Sequence, residues 1–205
     1  MKFAIFDTET SGLFDFSKPA DADGQPRLAS LHMLRLDEAG EIEGAHDFLI
    51  SPDGWEMQSG AESVNGLSTD HLKEHGVPVR EVLDFYTSLI GEGFTLAAFN
   101  AQFDTKVMRA ELRRAGMNDL FEATPNVCLM RACIGVCKIP RARGGGYKMP
   151  KLSEACQHFG IQNDAEHTAR GDTMAAHAIF KALRRIDALP TPTVHYAKNR
   201  PEAAA

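Results

Sequence analysis

The sequence predicts an α/β domain, a mixed β-sheet flanked by helices. Three observations carry this. Short apolar runs, too brief for core helices, recur along the chain. Between them lie segments whose apolar residues fall three and four apart, the helical spacing. The length, 205 residues, suits one domain rather than two.

The elements follow in order. KFAIFD (2–7) is an apolar run ending in acid and predicts a buried strand. Residues 10–26 are rich in Gly, Pro, Asp and Ser and predict a loop. Residues 28–37 and 42–51, separated by the turn EAGE, predict two further strands, so the chain opens as an antiparallel meander. Residues 52–76 look irregular, apart from a short helix near 68–74. In 77–91, Val79, Val82, Leu83, Tyr86, Leu89 and Ile90 fall at helical spacing, and Gly91 stops the helix. A fourth strand is expected at 94–100, a helix at 103–116 capped by Gly116, a short fifth strand at 126–129 and a helix at 130–138. PRARGGGYKMP (140–150) reads as a basic, Gly-rich loop. Helices at 151–161 and 169–186 complete the set. No internal repeat is present.

Composition removes several classes. Hydrophobic residues are 43% and charged residues 24%, an ordinary globular balance. No apolar run reaches the roughly 18 residues of a membrane span. The opening MKFAIFDTETSGL meets two acids within nine positions, unlike a signal peptide, so the cytoplasm is the expected compartment. The net charge of −6 argues against a protein that coats nucleic acid, which needs net positive charge. That mean hides a split. Residues 1–100 carry 6 Lys/Arg against 18 Asp/Glu, whereas residues 101–205 carry 16 against 10. Four cysteines form no C-x-x-C pair and fit no zinc ribbon, so they are expected to be reduced and mostly buried.

The informative carboxylates come in three groups. Asp7 and Glu9 stand at the expected end of the first strand, where residues i and i+2 share a face. D-x-E alone is weak, since a chain of this composition yields about one by chance, and Asp164-x-Glu166 is such a second case. The second group, FNAQFD (99–104), contains N-x-x-F-D, for which chance predicts about 0.02 occurrences. Asp104 also begins a helix, where a carboxylate suits the dipole. The third, EHTARGD (166–172), places His167 five positions before Asp172, in a loop feeding a helix. His32 and Asp37 have the same spacing but lie along an expected strand.

FDTETSGL, AFNAQFD and HTARGD, in this order, resemble the three motifs of the DEDDh 3′–5′ exonucleases, the DnaQ-like family. Many members have His where this chain has Phe99. The H-x(4)-D spacing separates it from the sister group with Tyr-x(3)-Asp. The resemblance covers residues 1–187, taken as the exonuclease domain, and leaves 188–205 as an extended or disordered tail. It implies an RNase H-like α/β fold, a mixed five-stranded sheet with helices on both faces. It also implies that Asp7, Glu9, Asp104 and Asp172 hold two divalent cations, Mg²⁺ or Mn²⁺. By family analogy Asp7 bridges both, Glu9 and Asp172 hold the water-side ion, and Asp104 supports the other. His167 would be the general base, its ordinary pKa of ~6.5 suiting proton transfer near neutrality.

Thr8, Thr10, Gly12 and Leu13 are expected to contact the 3′-terminal nucleotide, with Asn100 and Phe103 on its other side and Asn65 lining the groove. Residues 138–151 hold Lys138, Arg141, Arg143, Lys148 and Lys151 with no acid, and are expected to follow the phosphate backbone. The implied activity is removal of nucleoside 5′-monophosphates from DNA 3′ ends, single-stranded or frayed, by two-metal hydrolysis. DNA is favoured over RNA as the nucleic-acid partner. A polymerase or another replication or repair protein is a further candidate partner, as is a second copy of the chain; a membrane is not. The alternatives are an oligoribonuclease-like trimming enzyme, a non-catalytic binding module and an RNase H endonuclease. All five catalytic positions are occupied, which disfavours the second, and H-x(4)-D disfavours the third.

Overall fold

The computed structural model describes residues 1–15, 17–120, 124–163 and 165–194. The meander forms first: β1 (Phe3–Thr10), β2 (Leu28–Leu36) and β3 (Ile42–Leu49). Three helices follow, α1 (Ser59–Asn65), α2 (Thr69–His75) and α3 (Val79–Gly91). Then come β4 (Thr95–Ala98), α4 (Ala101–Arg114), β5 (Asn126–Cys128) and α5 (Leu129–Cys137). The last two helices are α6 (Leu152–Phe159) and α7 (Ala169–Arg185).

The sheet runs β3-β2-β1-β4-β5. β1 pairs antiparallel with β2 and parallel with β4; β2–β3 is antiparallel and β4–β5 parallel. The sheet is therefore mixed, with β1 at its centre. Both faces of a central strand are buried, which is why KFAIF and LASLHMLRL read as nearly continuous apolar runs. Ala4 and Phe6 face a core shared with Val82, Leu83, Tyr86 and Leu89 of α3 and Val107, Met108 and Leu112 of α4. Phe3 and Ile5 face the other core, with Cys133, Cys156 and, from α7, Ile179, Phe180 and Leu183. Helices cover both faces, as expected.

Some ends shift by two residues, as at α4, which runs 101–114 rather than 103–116, and three larger differences from the sequence expectation stand out. β1 does not stop at Asp7; Thr8, Glu9 and Thr10 still pair with Leu31, Ser30 and Leu28. Polar side chains do not end a strand whose backbone keeps a partner. Asp7 and Glu9 therefore lie inside the strand. Residues 59–65, expected to be irregular, form α1, a polar helix whose one buried residue is Asn65. Periodicity cannot reveal a helix with no apolar stripe. Past residue 187, Ala188 and Leu189 pack on the second core, and Thr193 exchanges two backbone hydrogen bonds of 3.0 Å with Asn126 of β5. The rest of the expected tail, 195–205, lies outside the described residues.

Cys128, Cys133 and Cys156 are buried free thiols and Cys137 is a half-buried one. The basic loop is closed by a bridge between Pro140 and Tyr147, and Lys148 is tied to Glu154 at 2.5 Å. Among the described residues no helix is long and apolar enough to cross a membrane.

Candidate active site

Alternation along β1 sends Asp7 and Glu9 toward α7, on the same face as Ile5, and Thr8 toward α4. In the first turn of α7, Asp172 meets the two strand carboxylates. One carboxylate oxygen from each of Asp7, Glu9 and Asp172 lies within 4.8 Å of the others. Asp104, in the first turn of α4, is 2% exposed. Its Oδ1 accepts from the Thr8 N–H at 3.1 Å and the Thr8 hydroxyl at 2.9 Å. One strand thus supplies two carboxylates directly and orients a third through the residue between them.

The electrostatics follow from this crowding. Burial pushes the Asp7 carboxyl well above the usual carboxylate range, and the charges of Asp104, Glu9 and Asp172 push it further. Glu9 is pushed up to about 7 by burial and by Asp172, against a hydrogen bond from Asn65. Asp104 is pushed up to about 7 by burial, against the two bonds from Thr8. Asp172 is raised by burial and held back by Asn163, whose Nδ2 donates to Oδ1 at 2.9 Å, and by His167. Four acids in this state suit hard divalent cations, which favour oxygen donors and supply the missing positive charge.

His167 is exposed and lies in the loop before α7, with φ +64°. This left-handed conformation is uncommon for a residue with a Cβ. The surroundings impose it. The Thr168 hydroxyl donates to the Ala165 carbonyl at 2.8 Å and accepts from the Gly171 N–H at 3.0 Å, capping α7. A Cβ on Gly171 would collide with the Ala165 carbonyl and stand 2.7 Å from its carbon, so only glycine lets the loop lie this close. The His167 N–H bonds Asp172, and both line a groove with Lys151, Ser153 and Glu166.

A second cavity, of about 360 Å³, adjoins Glu9. Thr8, Thr10, Gly12, Leu13, Asn65 and Phe103, six of the seven expected substrate contacts, line it. Leu13 is 88% exposed at its mouth. The Thr10 hydroxyl donates to the Gly12 carbonyl at 2.8 Å, and Asn65 Nδ2 to the Thr10 carbonyl at 3.3 Å. Asn100 does not line this cavity. It caps α4 through its carbonyl, which accepts from Phe103 N–H at 2.8 Å, and its side chain is exposed.

Sequence reasoning missed Gln58, Ala61 and Val64 on the cavity wall, and Asn163 beside Asp172. Gln58 is the N-cap of α1, and Ala61 and Val64 belong to that helix, which has no periodic signal. Asn163 has only a common residue type in a polar turn, and its role exists only once α7 has docked.

The model of the RNase_T family, described as an exonuclease, matches residues 4–180. The chain is 28% identical over 190 residues to a DNA polymerase III subunit epsilon-like protein of Rhodobacter capsulatus, spanning 92% of this chain and 24% of that protein. Among solved structures, E. coli exonuclease I in complex with a dA16 oligonucleotide aligns with a TM-score of 0.72 and 20% identity, over 90% of this chain and 41% of that one. The zinc-bound complex of E. coli exonuclease I with single-stranded DNA aligns at 0.71 and 21% identity, over 90% and 40%. The chain therefore spans about a quarter of the curated relative and two fifths of these structures. At such identity the likeness to exonuclease I is one of fold, and that fold is the RNase H-like α/β arrangement expected from the motifs.

Proposed function

The chain belongs to the RNase_T family of exonucleases, and we propose that it removes nucleoside 5′-monophosphates one at a time from DNA 3′ ends, single-stranded or frayed. The observation that carries this is the meeting of Asp7, Glu9 and Asp172 within 4.8 Å beside a cavity walled by Leu13, Val64 and Phe103. The cluster suits a phosphate with its counter-ions; the apolar wall suits a base.

Asp7, Glu9, Asp104 and Asp172 would hold two divalent cations, Mg²⁺ or Mn²⁺. When bound, these supply charge neutralisation at the scissile phosphate and Lewis acidity toward water. The chain's own residues do the rest. Thr8 and Asn65 hold Asp104 and Glu9 in place. Leu13 and Phe103 clasp the terminal base, and Gly12 lets the backbone approach the sugar. His167, exposed in the groove that Asp172 shares, takes the proton from the attacking water at a ring nitrogen. Water adds to phosphorus, the P–O3′ bond breaks, and the leaving oxygen is protonated to a new 3′ hydroxyl. Lys151 lies in the same groove, placed to meet the next phosphate. The epsilon-like relative supports a setting in replication or repair.

The test is digestion of single-stranded DNA, mismatched duplex and matched short RNA, each labelled at either end, with Mg²⁺ or Mn²⁺. Release of mononucleotides from the 3′ end is expected, abolished by EDTA and reduced at least about 10³-fold by Asp7→Asn. Internal fragments, release from the 5′ end or an EDTA-insensitive activity would overturn the proposal. RNA consumed much faster than DNA would move the substrate to RNA.

A further inference from the structure

The polar side chains of the Leu13–Phe103 cavity divide into committed and uncommitted ones. The Thr8 hydroxyl donates to Asp104, and the Thr10 hydroxyl to the Gly12 carbonyl. Asn65 donates to the Thr10 carbonyl and accepts from the Leu67 N–H. All three are buried. Glu9 belongs to the carboxylate cluster. Gln58 differs from them. It stands exposed at the N-cap of α1, and its side chain makes no hydrogen bond among the described residues. Its main chain, by contrast, is fixed: its N–H donates to the Ser11 carbonyl, and its carbonyl accepts from Ala61 and Glu62, all at 2.9 Å. Its amide lies across Gly12, with Nε2 2.6 Å from where a Cβ on that residue would stand. An amide on a fixed main chain, its donors and acceptor unused among the described residues, thus lines the cavity.

We infer that Gln58 meets the edge of the terminal base and makes the site tolerant of base identity. This rests on the nuclease reading above. An amide carries a donor and an acceptor in one plane and exchanges them by a half-turn about its last bond. Adenine and cytosine present an exocyclic amino group where guanine, thymine and uracil present a carbonyl. Oε1 meets the first class and Nε2 the second. A base of either class therefore finds a partner for its exocyclic group, and a terminal nucleotide is accepted whatever that group is. The polar alternatives on the wall have no such freedom, because their partners hold them.

Gln58→Glu tests this, since it keeps size and reach but leaves only acceptors. Binding is read first, by titrating dCMP and dUMP, which differ at the 4-substituent and in the proton that uracil carries on N3, in the presence of Mn²⁺. The wild type is expected to hold the two within about threefold. Gln58→Glu is expected to favour dCMP by about tenfold, because the dUMP carbonyl then faces a carboxylate. Gln58→Leu is expected to weaken both alike. Release rates from oligonucleotides ending in C or U are expected to follow the same ratios. A Gln58→Glu protein with the wild-type ratio in the titration overturns the inference, as does a wild type that binds neither nucleotide. A wild type that binds both but releases none overturns the nuclease reading alone, and the titration still decides the role of Gln58.

Discussion

At the scale of single residues, the site depends on side chains and on the absence of one. Gly171 lies between the capping Thr168 and Asp172 of the carboxylate cluster, and the Ala165 carbonyl occupies the space its Cβ would need. The obstacle is backbone, so no rotamer change relieves it. In Gly171→Ala the 165–168 loop must move, and His167 moves with it. A misplacement of about 1 Å lowers turnover about 10²-fold, whereas melting is expected to fall by only a few degrees, because the loop is exposed. Paired kinetics and melting check this; unchanged turnover would refute it. The cluster of Asp7, Glu9 and Asp172, with Asp104 and His167 beside it, was legible in the sequence because each motif sits within a few positions of the chain. Gln58 and Asn163 were not, because their partners, Gly12 and Asp172, come from distant segments.

At the scale of elements, α4 fixes where β2 begins, and so where the carboxylate-bearing end of β1 finds its partner. Glu111 of α4 is 1% exposed. It accepts from Arg27 Nε at 2.8 Å, from Arg114 Nη1 at 2.8 Å and from the Leu28 N–H at 3.1 Å. Leu28 is the residue paired with Thr10. Glu111→Ala strands a buried N–H and leaves two arginines without their shared anion, at a cost of about 3 kcal/mol. At 2–4 °C per kcal/mol for a chain of this size, melting is expected to fall by about 6–12 °C. Glu111→Gln, which keeps one acceptor, is expected to lose less. Equal melting of wild type and Glu111→Ala would refute the clamp. The strands and amphipathic helices were readable from apolar spacing alone. Helix α1 and the last three residues of β1 were not, because pairing and docking, rather than hydrophobicity, make them regular.

At the scale of the molecule, the carboxylate cluster sets a pH response. Glu9 and Asp104 are pushed up to about 7 from ordinary values of 4.5 and 3.8. Between those limits the folded chain binds more protons than the unfolded one, so its stability falls as pH rises. Without metal, melting is expected to be about 5 °C lower at pH 8 than at pH 6. Millimolar Mn²⁺ at pH 8 is expected to recover the loss by binding only the folded state. Melting scans in EDTA and in Mn²⁺ decide; a metal-free protein more stable at pH 8 would contradict the assignment of these acids. The acidic first half and basic second half of the sequence take on a spatial meaning here. Asp7 and Glu9 come from the former, and Lys151, in the groove with His167, from the latter.

The position of β1 between two helical layers has one more consequence. Asp104 rides on α4 on one side of the sheet and Asp172 on α7 on the other, while the strand between them supplies Asp7 and Glu9. Asp172 reaches Asp7 and Glu9 only with α7 docked, and Asp104 reaches Thr8 between them only with α4 docked. Under the proposed function, a half-folded or newly emerging chain, however compact, would hold no working cutter. The proposed nuclease activity would then certify completed assembly, and nucleic acid near an immature chain would be safe from it.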